Sequence, residues 1–336
     1  MSLVLQNKRV VLLDNMLISV SIIMPVYNAS SFLDRAIKSI YCQDFQNWEL
    51  IAIDDGSKDD SGDILDRWAR EDSRIKVFHQ ENQGVSATRQ RGVLLAKGEY
   101  TIHVDADDWV EPDYMSSLLD MARKKEADFV WCDCYTNEAG LWKMPNEETS
   151  ESLIKAMLQQ KIWGMLWNKL IRTSICQRKD VFFPRDCSMW EDLAFCIQCL
   201  LHCRKVSYCD KALYHYNLGN NGSLVTRQQD KEISVEWQKA INRINDAIIE
   251  CDKLNAFEYE LNEIKLFAIR NYIDDIRFRN YEKFLNTYPE AIVRIEEYPN
   301  YPRRLKSCVK ALIDNKKYMI PLILKYDSLL RKLKLR

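Results

Sequence analysis

Residues 103–109 read HVDADDW, which sets three carboxylates, Asp105, Asp107 and Asp108, within four positions directly after an apolar stretch. Carboxylates this close repel, and each raises its neighbours' pKa. A divalent cation removes that repulsion. Hard oxygen ligands suit Mg2+ or Mn2+, and Mg2+ commonly takes one or two protein carboxylates plus substrate phosphates. The cluster therefore reads as half of a metal site that a diphosphate completes. The alternative is a solvated acidic turn leading into the helix after Pro112. Two more acidic pairs stand out: Asp54-Asp55 before Gly56, and Glu191-Asp192, where acids at a helix start suit the dipole. Cys196, Cys199 and Cys203 recur at i, i+3 and i+7, with Cys209 and His202 near them. Zinc is one reading. A core stripe of small apolar thiols is the one adopted here, and Cys132 and Cys134 are read the same way.

Those polar clusters need elements that end in one place. SVSIIMPV (19–26) is a continuous apolar run, the mark of a strand covered on both faces. SSFLDRAIKSIYCQ sets Phe32, Leu33, Ala36, Ile37 and Ile40 on one helical face, with Ser30 or Ser31 as its cap. WELIAIDD, RIKVFHQ, EYTIHVD and ADFVWCDCY predict four further strands. The stretch after Gly56, VSATRQRGVLLAKG closed by Gly98, and the stretch opened by Glu111-Pro112-Asp113 predict helices between them. Repeated strand–helix–strand units imply an α/β fold with a mainly parallel sheet between helices. Ligands on such sheets bind beyond the C-terminal strand ends. Tyr27-Asn28, Asp54-Asp55-Gly56-Ser57 and Asp105-Ala106-Asp107-Asp108 all lie at such ends, so three polar strand ends converge on one site. Residues 136–230 are less regular, and from about 231 the pattern is helical and charged.

At this point the chain resembles the family 2 glycosyltransferases of the polysaccharide-biosynthesis type. SIIMPVYN (21–28), IAIDDGSKDDS (51–61), ENQGVSATRQRG (81–92), GEYTIHVDADD (98–108) and WEDLAF (190–195) carry the likeness, in that order. The resemblance implies the Rossmann-like GT-A fold. An N-terminal extension (1–18) would precede a glycosyltransferase domain (19–228), with a donor half to about 135 and an acceptor half beyond it. A helical C-terminal region (229–336) would follow. Pro25, Val26 and Tyr27 would hold the nucleotide base and ribose, with Asp55 accepting from the uracil N3–H. Gly84 to Arg89 would lie beside the donor, Arg89 pairing with phosphate or forming a surface salt bridge. Asp105-Ala106-Asp107 would be the family's Asp-x-Asp, with Asp105 on sugar hydroxyls, Asp107 on the metal and Asp108 a less certain partner. Asp192, with Glu191 as second choice, would be the base of an inverting displacement. Lys169 in WNKLIR would contact phosphate or acceptor, or else sit at the surface. His215 and Ser223 would belong to a loop that closes over the diphosphate, with His215 a candidate metal ligand. Asn217 stands where many relatives have an arginine.

Composition fits this reading. The 336 residues are 47% hydrophobic and 29% charged with net charge −1, which gives no reason to expect a nucleic-acid partner. No apolar run reaches the roughly 18–20 residues of a membrane span. VVLLDNMLISVSIIMPVYN reads as the approach to a core strand, not as a signal peptide, so the eleven cysteines are expected as reduced thiols in a cytoplasmic protein. YMIPLILKYDSLLRKLKLR (318–336) joins apolar residues to a basic end. It would either touch the inner membrane face, as suits a lipid-linked or cell-surface glycan acceptor, or pack on its own domain. The expected substrate is a nucleotide-sugar donor, UDP-linked. A nucleotidyltransferase and a catalytically silent nucleotide-sugar-binding module are the rival readings. The first would require a glycine-rich basic loop after the first strand, which MPVYNASSFLDR lacks.

Overall fold

A computed structural model describes residues 18–136, 140–217, 233–274, 279–299 and 301–325. The chain divides into two compact units, 1–229 and 230–336. The first is built on a sheet of strands β1 (Val20–Val26), β2 (Trp48–Asp54), β3 (Ile75–His79), β4 (Tyr100–His103), β5 (Trp109–Val110), β6 (Phe129–Thr136), β7 (Gly140–Trp142), β8 (Lys169–Arg172) and β9 (Val206–Tyr216). Their order is β3-β2-β1-β4-β8-β6-β9-β5, with β7 paired to β6. Helices α1 (Ser30–Tyr41), α2 (Ser61–Glu71), α3 (Val85–Leu95), α4 (Tyr114–Lys125), α5 (Ser150–Leu158) and α6 (Glu191–His202) connect or cover the strands.

The first four strands are parallel, as the strand–helix–strand pattern predicts. Val20 lies opposite Trp48 and Val26 opposite Asp54, so β1 and β2 end level. Ile22, Ile23, Met24 and Val26 are all buried. Each such side chain contributes about 1.5–3 kcal/mol, and residues of both parities are covered, which explains the unbroken apolar run. Beyond β4 the sheet becomes mixed. Four-residue β8, from the WNKLIR segment, inserts antiparallel between β4 and β6. The strand ADFVWCDCY therefore does not follow β4 directly, and pairs parallel with β9 instead. A short strand with polar ends has too little alternation to announce itself.

Two boundary features differ from expectation. Neither Ser30 nor Ser31 caps α1. The Ala29 and Ser30 N–H groups donate instead to Ser61 Oγ (2.9 Å) and Asp59 Oδ2 (3.0 Å), so the loop after β2 supplies the cap. Helix α3 ends at Leu95, three residues before Gly98. Gly98 is needed for close approach: a Cβ there would lie 2.6 Å from the Ser21 backbone nitrogen. Its N–H donates to Ser21 Oγ (2.8 Å), which in turn donates to the buried Glu49 carboxylate (2.7 Å).

The thiols serve as core. Cys196 and Cys199 are buried on α6, and Cys196 donates to the Gly164 carbonyl (3.2 Å). Burial pushes the Cys196 thiol up to about 12. Cys203 donates to the Cys199 carbonyl one turn back (3.2 Å), and Cys132, Cys134 and Cys209 are buried on β6 and β9. In the second unit the described residues form helices, among them α7 (Ile233–Glu250), α8 (Leu254–Ile269) and α9 (Arg303–Ile313). Trp237, Ala240, Ile241, Ile244 and Ile248 form the buried stripe of α7. No described helix is long and apolar enough to cross a membrane. Ser223, the N-terminal extension to residue 17, and the basic tail from 326 lie outside the described residues.

Gly98→Ala forces the start of β1 to move. The expected loss is ~1–3 kcal/mol, read as a lower urea midpoint with an unchanged m-value; an unchanged midpoint refutes the close-approach argument.

Candidate active site

The loops after β1, β2 and β4 leave the sheet at one edge, because parallel strands share their C-terminal side. After β1, Pro25 is half-buried, Val26 buried and Tyr27 43% exposed. Asn28 follows at φ 50°, and its side-chain oxygen accepts from the Lys58 N–H (2.7 Å). After β2, the buried Asp55 organises its surroundings. Oδ1 accepts from Gln80 Nε2 (2.7 Å) and the Gln83 N–H (2.8 Å), and Oδ2 from the Gly84 N–H (2.9 Å). Gly84 sits at φ 83°, a conformation that favours glycine, at the entry to α3. Asp55 thus anchors the 80–84 loop; a carboxylate oxygen takes two bonds, so Oδ2 keeps capacity for one further donor.

The acidic cluster after β4 is partitioned. Asp105 and Asp107 are half-buried, Ala106 and Asp108 buried. Asp108 is turned inward, accepting from Tyr214 Oη (2.7 Å) and the Asn217 N–H (2.8 Å). Burial, then Asp105 and Asp107, hold its carboxyl well above the usual range. It is therefore an internal anchor of the strand-end loop. The same Tyr214 oxygen accepts from the Asp105 N–H (3.1 Å). The Asp107 carbonyl accepts from Arg35 Nη2 (2.8 Å) and Asn217 Nδ2 (3.2 Å). Asn217 thus shapes the loop.

Arg89 corrects one sequence expectation. It is not a surface side chain, and its salt bridges are buried. It is buried, with Nη1 donating to Glu191 Oε1 (2.5 Å) and Nη2 to Asp105 Oδ1 (3.1 Å). Its Nε has no partner. Burial works against its charge, but Asp105, Glu191 and Asp192 outweigh it and raise its pKa. This one guanidinium joins the strand-end acids to the pair at the start of α6. Trp190 enters that helix at φ 64°, a left-handed conformation that costs a bulky residue of order 1–3 kcal/mol and aims the pair. Glu191 is buried and committed to Arg89, whereas Asp192 is partly exposed, its Oδ1 accepting from the Leu193 N–H (2.8 Å). Burial and then Asp192 push the Glu191 carboxyl up to about 7, against the pull of Arg89. Burial also raises Asp192.

One other expectation changes. Lys169 is fully buried, so it is no surface residue and meets no phosphate. Its ammonium donates to the carbonyls of Trp163 (3.1 Å) and Met165 (2.5 Å) and to Asn168 Oδ1 (2.6 Å), all the bonds it can make. His215 is stacked between Trp109 (4.8 Å) and Tyr135 (4.9 Å), and its Nε2 meets Glu111 Oε1 at 2.6 Å. Glu111 thus fixes the orientation of the ring. Sequence reading missed Tyr214 and Tyr216. Their alternation in LYHYN sets both on one strand face, where Trp167 stacks on them (4.4 and 5.3 Å).

A sheet whose parallel half ends in three polar loops, one carrying Asp-x-Asp, with an acidic pair from the mixed half beside it, defines a GT-A fold. Comparison narrows this further. The glycosyl transferase family 2 pattern matches residues 21–189. EpsH of Bacillus subtilis (strain 168), described as a glycosyltransferase, is 34% identical over 255 residues, 73% of each chain. S. aureus TarS (1–349), solved with UDP-GlcNAc, superposes with a TM-score of 0.68 at 18% identity, over 92% of this chain and 91% of its own. The mannosyltransferase PcManGT from Pyrobaculum calidifontis, solved with GDP-Man and Mn2+, gives 0.52 at 15% identity, over 93% and 86%. The chain belongs to glycosyl transferase family 2 and is a glycosyltransferase.

Asp108→Asn keeps a polar partner for Tyr214 and Asn217, whereas Asp108→Ala strands both and costs about 1–3 kcal/mol; equal urea midpoints for the two variants contradict this. Glu191 yields a pH prediction. Its folded pKa, about 7, lies above the ordinary 4.5, so the folded state binds the proton more tightly. That stabilisation is complete below 4.5 and is lost as pH rises through about 7. Melting temperatures should show wild type losing ground to Glu191→Gln across this window; a flat difference argues against a shared proton.

Proposed function

We propose that the chain is an inverting enzyme that moves a hexose or N-acetylhexosamine from a nucleoside diphosphate, UDP, to a hydroxyl of a cell-surface glycan or lipid-linked acceptor. One observation carries the reading: Arg89 holds Asp105 of the strand-end cluster and Glu191 of the acid pair on a single buried guanidinium. Donor-side and acceptor-side carboxylates are thereby kept within one site. The TarS and PcManGT structures, solved with UDP-GlcNAc and with GDP-Man and Mn2+, support a sugar nucleotide as donor.

In this reading Tyr27, partly exposed at the end of β1, packs on the base, with Pro25 and Val26 beneath it. Asp55 fixes the 80–84 loop and offers its spare lone pair to the base N3–H. Asp105 meets sugar hydroxyls with the oxygen Arg89 leaves open. The hard, half-buried carboxylates suit Mg2+ or Mn2+. Among the described residues no group of three or more His, Cys, Asp or Glu could hold a metal. The protein would therefore offer Asp107, as fits an ion shared with a diphosphate. Bound there, the ion supplies electrostatic stabilisation of the departing nucleoside diphosphate. Asp192 is the base, because Glu191 is occupied by Arg89. The acceptor oxygen bonds to sugar C1 as its proton passes to Asp192. The bond from C1 to the phosphate oxygen breaks with its electron pair leaving on UDP, and the anomeric centre inverts. The cytoplasmic setting and the membrane contact of the tail belong to the same proposal.

Asp192→Ala should lower kcat by about 10²–10⁴-fold, and Asp107→Ala should abolish the response of UDP release to added Mn2+, both with native circular dichroism. Normal turnover in the two variants sinks the reading. Pyrophosphate as product points to a nucleotidyltransferase, and UDP binding with no transfer to any acceptor points to a silent binding module.

A further inference from the structure

The loop before β8 carries an aromatic ring that the mechanism above does not use. Trp163 is 49% exposed, yet the backbone that carries it is held by buried partners. Its carbonyl accepts one of the three bonds of the fully buried Lys169 ammonium. The next residue, Gly164, presses on the first turn of α6: a Cβ there would lie 2.5 Å from Leu193 Cα. The Gly164 carbonyl accepts from Cys196 Sγ. The residue after Trp163 thus touches the residue after Asp192. Trp142 meets the Trp163 ring edge-on, with centroids 4.5 Å apart at 89°. Cross-strand pairing fixes which face this is. Trp142 lies opposite Cys134 on β6, and Cys134 opposite Tyr214 on β9. Paired residues share a face of the sheet, so Trp142 stands in the row that ends at Tyr214, the anchor of Asp108.

The partly exposed Trp142 and Trp163 rings, with exposed Leu141 next to Trp142 in the chain, form an apolar surface, and such patches mark binding sites. A pyranose has an apolar C–H face and a rim of hydroxyls, and an indole matches that face without selecting among the hydroxyls. We propose that Trp163, buttressed by Trp142, is the platform on which the acceptor sugar ring lies beside the catalytic base. This rests on the reading of Asp192 as that base. Lys169, which the sequence offered as an acceptor contact, acts at one remove as a positioning residue: its buried ammonium sets the height of the loop that bears the ring.

The test measures UDP release from UDP-glucose, UDP-galactose and UDP-GlcNAc with four acceptors: the p-nitrophenyl glycosides of β-glucose, β-galactose, β-N-acetylglucosamine and α-mannose. Trp163→Ala should raise the acceptor KM about tenfold or more, as loss of a stacked aromatic face requires, while the donor KM stays within about twofold of wild type. Trp163→Phe should recover most of the acceptor affinity. An unchanged acceptor KM in Trp163→Ala overturns the platform. So does a parallel rise in both KM values, which marks a structural role. A wild-type enzyme that uses none of the four glycosides also counts against a surface indifferent to hydroxyl pattern. Full turnover in Asp192→Ala, with the Trp163 effect intact, removes the base reading and leaves the platform standing.

Discussion

A guanidinium buried between two carboxylates from distant parts of the chain is what this site depends on. Arg89 takes Asp105 on one arm and Glu191 on the other, with Asp192 adding its field. Removing one partner of such a pair leaves an uncompensated buried charge, so the arrangement holds together or fails together. It also explains why two carboxylates side by side at a helix start do different work. Glu191 is spent on the ion pair, and Asp192 stays partly exposed. Charges near Arg89 do not balance, since three acids surround it, and burial together with that excess raises the Glu191 carboxyl.

The same logic resolves the crowding after β4. The three aspartates do not form one cluster. Asp105 is neutralised by Arg89, and Asp108 is withdrawn into a hydrogen-bonded cradle of Tyr214 and Asn217. Asp107 is left at the surface with its backbone pinned by Arg35. Two of the three carboxylates are thus given partners by the protein itself. Aromatic residues do much of the holding: Trp167 stacks on the tyrosine that holds Asp108, and the row from Trp109 through His215 to Tyr135 stiffens the neighbouring strands.

Much of this was legible from residue order. Apolar runs ending in Tyr27-Asn28, Asp54-Asp55 and Asp105–Asp108 place polar ends on one edge because parallel strands share direction, a rule that needs no long-range information. What was not legible depends on partners far away in sequence. Nothing near Arg89 says that it will find Glu191, 102 residues on. Asp108 looks like Asp105 and Asp107 until Tyr214 turns it inward. Lys169 reads as solvated because lysine usually is, and only the carbonyls gathered by its loop make burial tolerable. Four-residue β8 escaped notice because its place is set by the bare edge of β4 and not by its own pattern.

That inserted strand has a consequence for how the molecule comes into being. β8 is made more than thirty residues after β6, yet it must wedge between β6 and β4. A nascent chain that has emerged only as far as residue 136 holds two unzipped flanks, rows of unpaired amides open to any other extended peptide. Residues 19–135 alone leave that seam of the sheet open. It closes only when the later segment threads home, a long-separation pairing of the kind that slows folding. Truncated fragments would carry the loops after β1, β2 and β4 on a sheet prone to stick to its neighbours.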